Sequence, residues 1–156
     1  MSDVPANAIP RADGAVQATS GDFAGWWTWT RDHFETHNGP YWHREENGEV
    51  VCAFRVADKH INGSGAVHGG AFMTFADYCL FAIGSRALES GRGVTLSFSS
   101  EFIDAAYKGE LIEGRGEIVR AGRSIVFLRG TLAAAGRPLL TFSGTVKRIN
   151  APRKSA

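Results

Sequence analysis

The chain has few of the devices that staple, export or anchor a protein. Only two cysteines, Cys52 and Cys79, occur in 156 residues, and no CxxC pattern is present. That excludes a disulfide framework, a zinc knuckle or a redox pair, and makes both residues expected core thiols. No run approaches the roughly 18 apolar residues of a spanning helix, since the most apolar stretch, Ala71 to Ile83, is short and holds Asp77. Met1 to Thr19 has no basic start followed by an apolar block, so neither a secretory signal nor a membrane partner is expected, and the expected location is cytoplasmic. Neither sign of charge dominates, the formal net charge being +1, whereas nucleic-acid binders carry a stronger basic excess. The glycine fingerprint of a dinucleotide site fails at its third position, which is His68 after Gly63 and Gly65. No GxSxG elbow of a serine hydrolase occurs.

What is present fits one domain, because a hydrophobic fraction of 44% over this length suffices for a core. Charge is uneven along the chain: residues 1–85 hold five Lys or Arg against ten Asp or Glu, and residues 86–156 hold twelve against six. A basic second half suits a phosphate-bearing small ligand. Residues 1–19 lack periodicity and are expected to be a flexible extension. From Ser20 or Asp22 a first helix is expected, with Phe23, Trp26, Trp27, Thr30 and Phe34 at helical spacing and Asn38-Gly39-Pro40 ending it. His33 and His37 stand four apart on it, but no carboxylate follows as in HExxH, and no metal is expected. Tyr41 to Glu45 and Glu49 to Val56 flank Asn47-Gly48, a tight hairpin signal. Four more strands are expected at Gly93 to Asp104, Glu110 to Arg120, Ser124 to Ala134 and Pro138 to Ile149. A single domain over 20–150 and a basic tail over 151–156 complete the organisation.

The centre of the chain is Asn62 to Ser85. Phe72, Phe75, Ala76, Cys79, Leu80, Ile83 and Ala87 recur at the three-and-four spacing of one helix face, and Met73, Phe81 and Ala82 make the other side hardly more polar. Such a helix lies in the core. His68-Gly69-Gly70 stands at its start, where free N–H groups and the positive end of the dipole suit a carbonyl oxygen that gains negative charge. Asp77 has only Met73, Thr74, Leu80 and Phe81 as helical neighbours and so no cation on its own helix. Spacing alone leaves two readings open: a carboxyl whose raised proton affinity serves chemistry, or an anion paired with an arginine from elsewhere.

Asn62, Gly65 and the run VHGGAFMTFAD resemble the motif of the hot-dog-fold acyl-CoA thioesterases, in particular the PaaI-like and hydroxybenzoyl-CoA thioesterase group. The shared pattern is an Asn, a short glycine-containing loop, HGG, and an acid eight positions after the first paired glycine. The likeness extends over roughly Glu49 to Ile149. It implies an α+β hot-dog fold, with an antiparallel sheet of about six strands wrapped around one long buried helix, here with an extra N-terminal helix. It further implies hydrolysis of an acyl-CoA thioester to free acid and CoA, with no metal and no cofactor, CoA being part of the substrate. Asp77 would then be the general base or nucleophile, and the Gly69 N–H would polarise the thioester carbonyl. Asn62 and His68 would hold the loop and the attacking water, and Thr95 would lie near the carboxylate. Gly70, Phe72 and Phe81 would meet the substrate. Family members set the acid of one subunit opposite the glycine loop of its partner, so a homodimer is implied, and a dimer of dimers beyond it. Two alternatives share the fold: a non-catalytic acyl-CoA-binding protein, which would not need Asp77, and a hydratase or dehydratase, in which the histidine and acid stand farther apart.

Overall fold

The computed structural model of the chain describes residues 9–11, 13–88 and 92–149. Nine strands and two α-helices are found among them: β1 Ile9–Pro10, β2 Ala15–Gln17, β3 Trp27–Trp29, α1 His33–Asn38, β4 Trp42–Glu46, β5 Glu49–Arg55, α2 Gly69–Gly84, β6 Gly93–Phe102, β7 Leu111–Ala121, β8 Ile125–Ala134 and β9 Arg137–Arg148. A single 3-10 turn, Asp58–His60, precedes α2. The strands form one antiparallel sheet in the order β1-β2-β3-β4-β5-β7-β8-β9-β6. Because β6 follows α2 in the chain yet pairs with β9, it closes one edge of the sheet and places Thr95 alongside the helix. This is the hot-dog arrangement, a long helix wrapped by its sheet.

Two turns show why the hairpins close where they do. Asn47 and Gly48 have φ of 50° and 82°, and Ala135 and Gly136 have 47° and 78°, the paired left-handed residues that a two-residue turn matched to strand twist requires. The apolar stripe of α2, with Phe75, Ala76, Cys79 and Leu80 fully buried, lies on the inner face of the sheet, where Phe54, Ile112, Val126, Leu132, Leu140 and Val146 form the floor. Helix and sheet meet most closely at two glycines. A Cβ on Gly114 would stand 2.4 Å from Cys79 Sγ, and one on Gly144 would stand 2.6 Å from Leu80 Cδ1. A side chain larger than hydrogen at either position would force Cys79 Sγ or Leu80 Cδ1 to shift.

The fold departs from expectation mainly before residue 40. The sheet has nine strands rather than about six, and the three additional ones come from the region expected to be a flexible extension and a helix. The described part of 1–19 contributes β1 and β2, with Ala15 and Ala18 buried. Arg11 and Asp13 pair across the turn between these strands, and the Arg11 guanidinium lies over the Trp27 ring at 4.6 Å. The domain therefore begins before residue 20. The expected long helix is instead β3 followed by the short α1. Gly21 and Gly25 adopt φ of 79° and 85°, which ends any helix there, and Trp27-Thr28-Trp29 is an aromatic and β-branched triplet that favours a strand. Phe34, expected to be covered, is 65% exposed. The expected tail at 151–156 lies outside the described residues. In β6, a register shift between Thr95 and Ser97 interrupts the strand's alternation, so Thr95, Phe98 and Phe102 face the helix side while Val94 and Leu96 are exposed.

Candidate active site

The loop before α2 is organised by Asn62. Its Oδ1 accepts hydrogen bonds from the N–H groups of Ser64 (2.8 Å) and Ala66 (3.2 Å), and its own N–H donates to the Ala66 carbonyl. Asn and Ser side chains favour such local turns because they replace backbone partners. The loop is tied down at both ends, by the Ile61–Val67 and Ala66–Tyr107 bridges and by the His68 N–H donating to the His60 carbonyl. His60 is in turn locked, with Nδ1 accepting from the Ala57 N–H at 2.9 Å and Nε2 2.6 Å from the Asn38 carbonyl oxygen.

His68 is the N-cap of α2, and its Nδ1 accepts the Gly70 N–H at 2.8 Å. A neutral imidazole that accepts at Nδ1 carries its proton at Nε2, so His68 presents a donor outward from the helix end. The Gly69 N–H has no acceptor among the described residues. The front of α2 thus offers one unpaired backbone donor, backed by the helix dipole and flanked by an imidazole N–H.

Asp77 lies on the side of α2 that also carries Met73 and Phe81. Its carboxyl is half-buried, and Oδ1 accepts from Thr95 Oγ1 at 2.7 Å. No ion pair reaches it among the described residues, so the reading as a salt-bridged structural anion finds no partner among them. Burial raises its proton affinity above that of an ordinary aspartate, the Thr95 hydrogen bond opposes this, and the negative charge of Asp32 adds to it.

The expected site residues therefore fall into two groups. Asn62, His68, Gly69 and Gly70 stand together at the helix start, and Asp77 and Thr95 stand together farther along. Eight residues separate Gly69 from Asp77, which is about 12 Å of helix, so a carbonyl held at Gly69 is beyond the reach of the same chain's Asp77. Phe81 is half-buried beside Gly93, on the Asp77 side. Phe72 is only 3% exposed and sits behind another ring, Phe102, at 6.4 Å.

Two residues at the site escape sequence reasoning. Phe102 ends β6, and its ring lies 3.3 Å from where a Cβ on Gly69 would stand; in sequence it is one more apolar strand residue. Glu35 on α1 is half-buried with no hydrogen-bond or ion-pair partner for its carboxyl among the described residues, and its pKa is raised to about 7 by burial first, then by the charges of Asp32 and Asp77. On a helix expected to be long, it reads as a solvated acid. No group of three or more His, Cys, Asp or Glu able to hold a metal occurs among the described residues, and His33 and His37 join no such group.

Comparison with known proteins identifies the family and the fold. The sequence model of the thioesterase superfamily matches residues 64–141. An uncharacterised mitochondrial protein of Candida albicans is 32% identical over 83 residues, 53% of this chain and 37% of that protein. Human acyl-coenzyme A thioesterase 13 is 27% identical over 81 residues, 51% of this chain and 57% of that protein. In these two the chain spans between about a third and three fifths of the relative's length. Among solved structures, a variant of the phenylacetic acid degradation protein PaaI from Thermus thermophilus superposes with a TM-score of 0.65 at 28% identity, covering 76% of this chain and 100% of that one. A hypothetical thioesterase of Streptococcus pneumoniae, solved with coenzyme A, shares the fold at 24% identity and a TM-score of 0.60, covering 70% and 91%.

Proposed function

The chain belongs to the thioesterase superfamily, and from that premise we propose that it hydrolyses an acyl-CoA thioester to a free acid and CoA. The observation that carries the proposal is the pairing, on one helix, of an unpaired N–H at Gly69 with a half-buried carboxyl at Asp77 that has no cation. The named activity of the human relative, acyl-coenzyme A thioesterase 13, supports the choice of acyl group carrier.

In this reading the thioester oxygen accepts the Gly69 N–H, with the His68 Nε2–H beside it. Asp77 takes a proton from water while the water oxygen attacks the carbonyl carbon; alternatively, a carboxylate oxygen attacks directly to form an anhydride that water then opens. Thr95 holds Oδ1, which leaves Oδ2 free for either task. The negative charge that builds on the carbonyl oxygen is met by the N–H at the positive end of α2. In the general-base route, collapse breaks the C–S bond and the departing thiolate takes the proton from Asp77; in the anhydride route the thiolate leaves as Asp77 is acylated, and the proton comes from the water that opens the anhydride. Since about 12 Å of helix separates the two groups, the working site needs a second copy, with Gly69 of one chain facing Asp77 of the other. The β6 edge, unpaired on one side and bearing exposed Val94 and Leu96, suits that second copy. A dimer of dimers is the assembly we propose.

The CoA phosphates are assigned to the basic second half of the chain. Arg120 and Arg123 at the β7–β8 hairpin have no carboxylate partner among the described residues and line an open groove of about 580 Å³ with Val119, Ile125 and Phe127. No helix among the described residues is long and apolar enough to cross a membrane. Unpaired Cys52 and Cys79 fit a reducing compartment, which we propose to be the cytoplasm. The deciding experiment is free-thiol release from a panel of acyl-CoA esters, with KM rising as salt screens the arginines. Binding without thiol release from any ester would favour the non-catalytic alternative and sink this one.

A further inference from the structure

Resting on the thioesterase reading, the geometry points to Phe102 as a specificity-determining residue whose ring excludes acyl groups branched at the carbon next to the carbonyl. Ring carbons Cε1 and Cζ of Phe102 lie 3.3 Å from where a Cβ on Gly69 would stand. The residue that offers its N–H to the carbonyl is therefore roofed on one side by a flat aromatic ring. A carbonyl oxygen accepting that N–H at roughly 2.9 Å puts the carbonyl carbon only about 1.2 Å farther out. Its two substituents must then run close to the ring.

Which substituent lies on the Phe102 side follows from polarity. Behind the ring stands Phe72, tilted at 56°, and beside it Ile103, 51% exposed. The chain enters Gly69 through His68 and the exposed loop Gly63-Ser64-Gly65, which are polar and solvent-facing. The apolar acyl arm goes to the aromatic side, and the sulfur with its polar pantetheine arm goes to the loop side. The ring is held by its backbone: Phe102 pairs with Leu140 at the end of β6, and the Ile103 N–H donates to the Leu139 carbonyl at 2.8 Å. The side chain is on an open surface, the residue being 54% exposed, so the ring forms a wall with one open face. A straight acyl chain can lie along that face. A methyl branch at the first carbon needs volume beside the ring, where a Cβ on Gly69 would already stand 3.3 Å from Cε1 and Cζ, closer than ordinary van der Waals contact.

The test compares butyryl-CoA with isobutyryl-CoA, equal in composition and different only in the branch. The wild-type ratio of kcat/KM should favour the straight chain by about tenfold or more, the range that one misplaced methyl group produces. Phe102→Ala should bring the ratio to within about threefold, chiefly by gain on isobutyryl-CoA, with Phe102→Leu in between and Phe102→Tyr like wild type. Asp77→Asn and Asp77→Asn with Phe102→Ala allow the same ratio to be read as binding constants by calorimetry, without turnover. Equal use of both esters by the wild type, or an unchanged ratio in folded Phe102→Ala and Phe102→Leu of unaltered oligomeric mass, would overturn the assignment. Failure of the wild type to release thiol from any acyl-CoA would instead overturn the thioesterase reading on which it rests.

Discussion

Asp77 and Tyr78 are neighbours in the chain and opposite in circumstance. Asp77 lies on the half-open side of α2, with one hydrogen bond from Thr95 and one oxygen left over. Tyr78 lies on the sealed side, where its hydroxyl is 2.7 Å from His43 Nδ1 and also bonds Thr28, and where the rings of Trp29 and Tyr41 stand at 5.1 Å and 5.4 Å. Both groups are removed from water. What differs is completion. On the Tyr78 side the added N-terminal strands supply polar partners and aromatic cover, and burial becomes stability. On the Asp77 side the carboxyl is desolvated with no cation beside it among the described residues, so its proton affinity is raised, which suits the catalytic role proposed for it.

The largest expected effect separates these two sides directly. Asp77→Asn keeps shape and the Thr95 contact but removes the proton acceptor, so kcat should fall by about two to four orders of magnitude with the thermal midpoint nearly unchanged. Thiol release and a melting curve on the same preparation check it. An unstable variant that keeps its turnover per folded molecule would move Asp77 to the structural side of the comparison. Tyr78→Phe should behave in the opposite way. It leaves buried His43 short of a partner and should cost about 1–3 kcal/mol of stability while turnover per folded molecule is retained.

How much of this was legible in the sequence follows the same division. The Asn62 loop, the HGG start and the acid on α2 were readable because their spacing is local and each residue type has few other uses in such an apolar stretch. The first hairpin was readable because Asn47-Gly48 encodes its turn. The N-terminal strands were not. Phe23, Trp26, Trp27, Thr30 and Phe34 do fall at helical intervals, but Gly21 and Gly25 in left-handed conformations interrupt them, and Trp27-Thr28-Trp29 pairs with β2 and β4. Periodicity sees spacing within a segment and cannot see a partner strand. Phe102 and Glu35 were missed for a related reason, since their significance comes from contacts with α2, across long stretches of chain, rather than from any pattern around them.

Removal of residues 1–19 sharpens the comparison from the sealed side. From composition alone this segment is dispensable. In the fold its loss takes away β1 and β2, strips Ala18 from the cluster with Trp26 and Trp42, and leaves β3 as a bare edge. The truncated chain should lose on the order of 1–3 kcal/mol, seen as an earlier denaturant midpoint, and should keep its turnover per folded molecule. Lost turnover in a fully folded truncation would show that the added strands reach the chemistry.

The smallest effect tests whether the two sides pull against each other as pH changes. Burial lowers His43 to about 4 from its ordinary 6.5, so the unfolded chain takes up a proton that the folded chain refuses. Stability from this group is complete above about pH 6.5 and is lost as pH falls toward about 4. Glu35 is shifted the other way, from 4.5 to about 7, and the folded chain holds a proton that the unfolded one releases. Its contribution is complete below about pH 4.5 and is lost as pH rises toward about 7. Asp77, also raised, acts in the same direction as Glu35. Over the shared window, about pH 4.5 to 6.5, the slopes oppose each other and the wild type should show a nearly flat thermal midpoint. His43→Gln removes one slope, so its stability should rise as pH falls through that window. Glu35→Gln removes the other and should make stability fall along the same path. Parallel profiles for both variants and the wild type would mean that neither group titrates as its surroundings require, and that the divide between the sealed and open sides of α2 is one of packing alone.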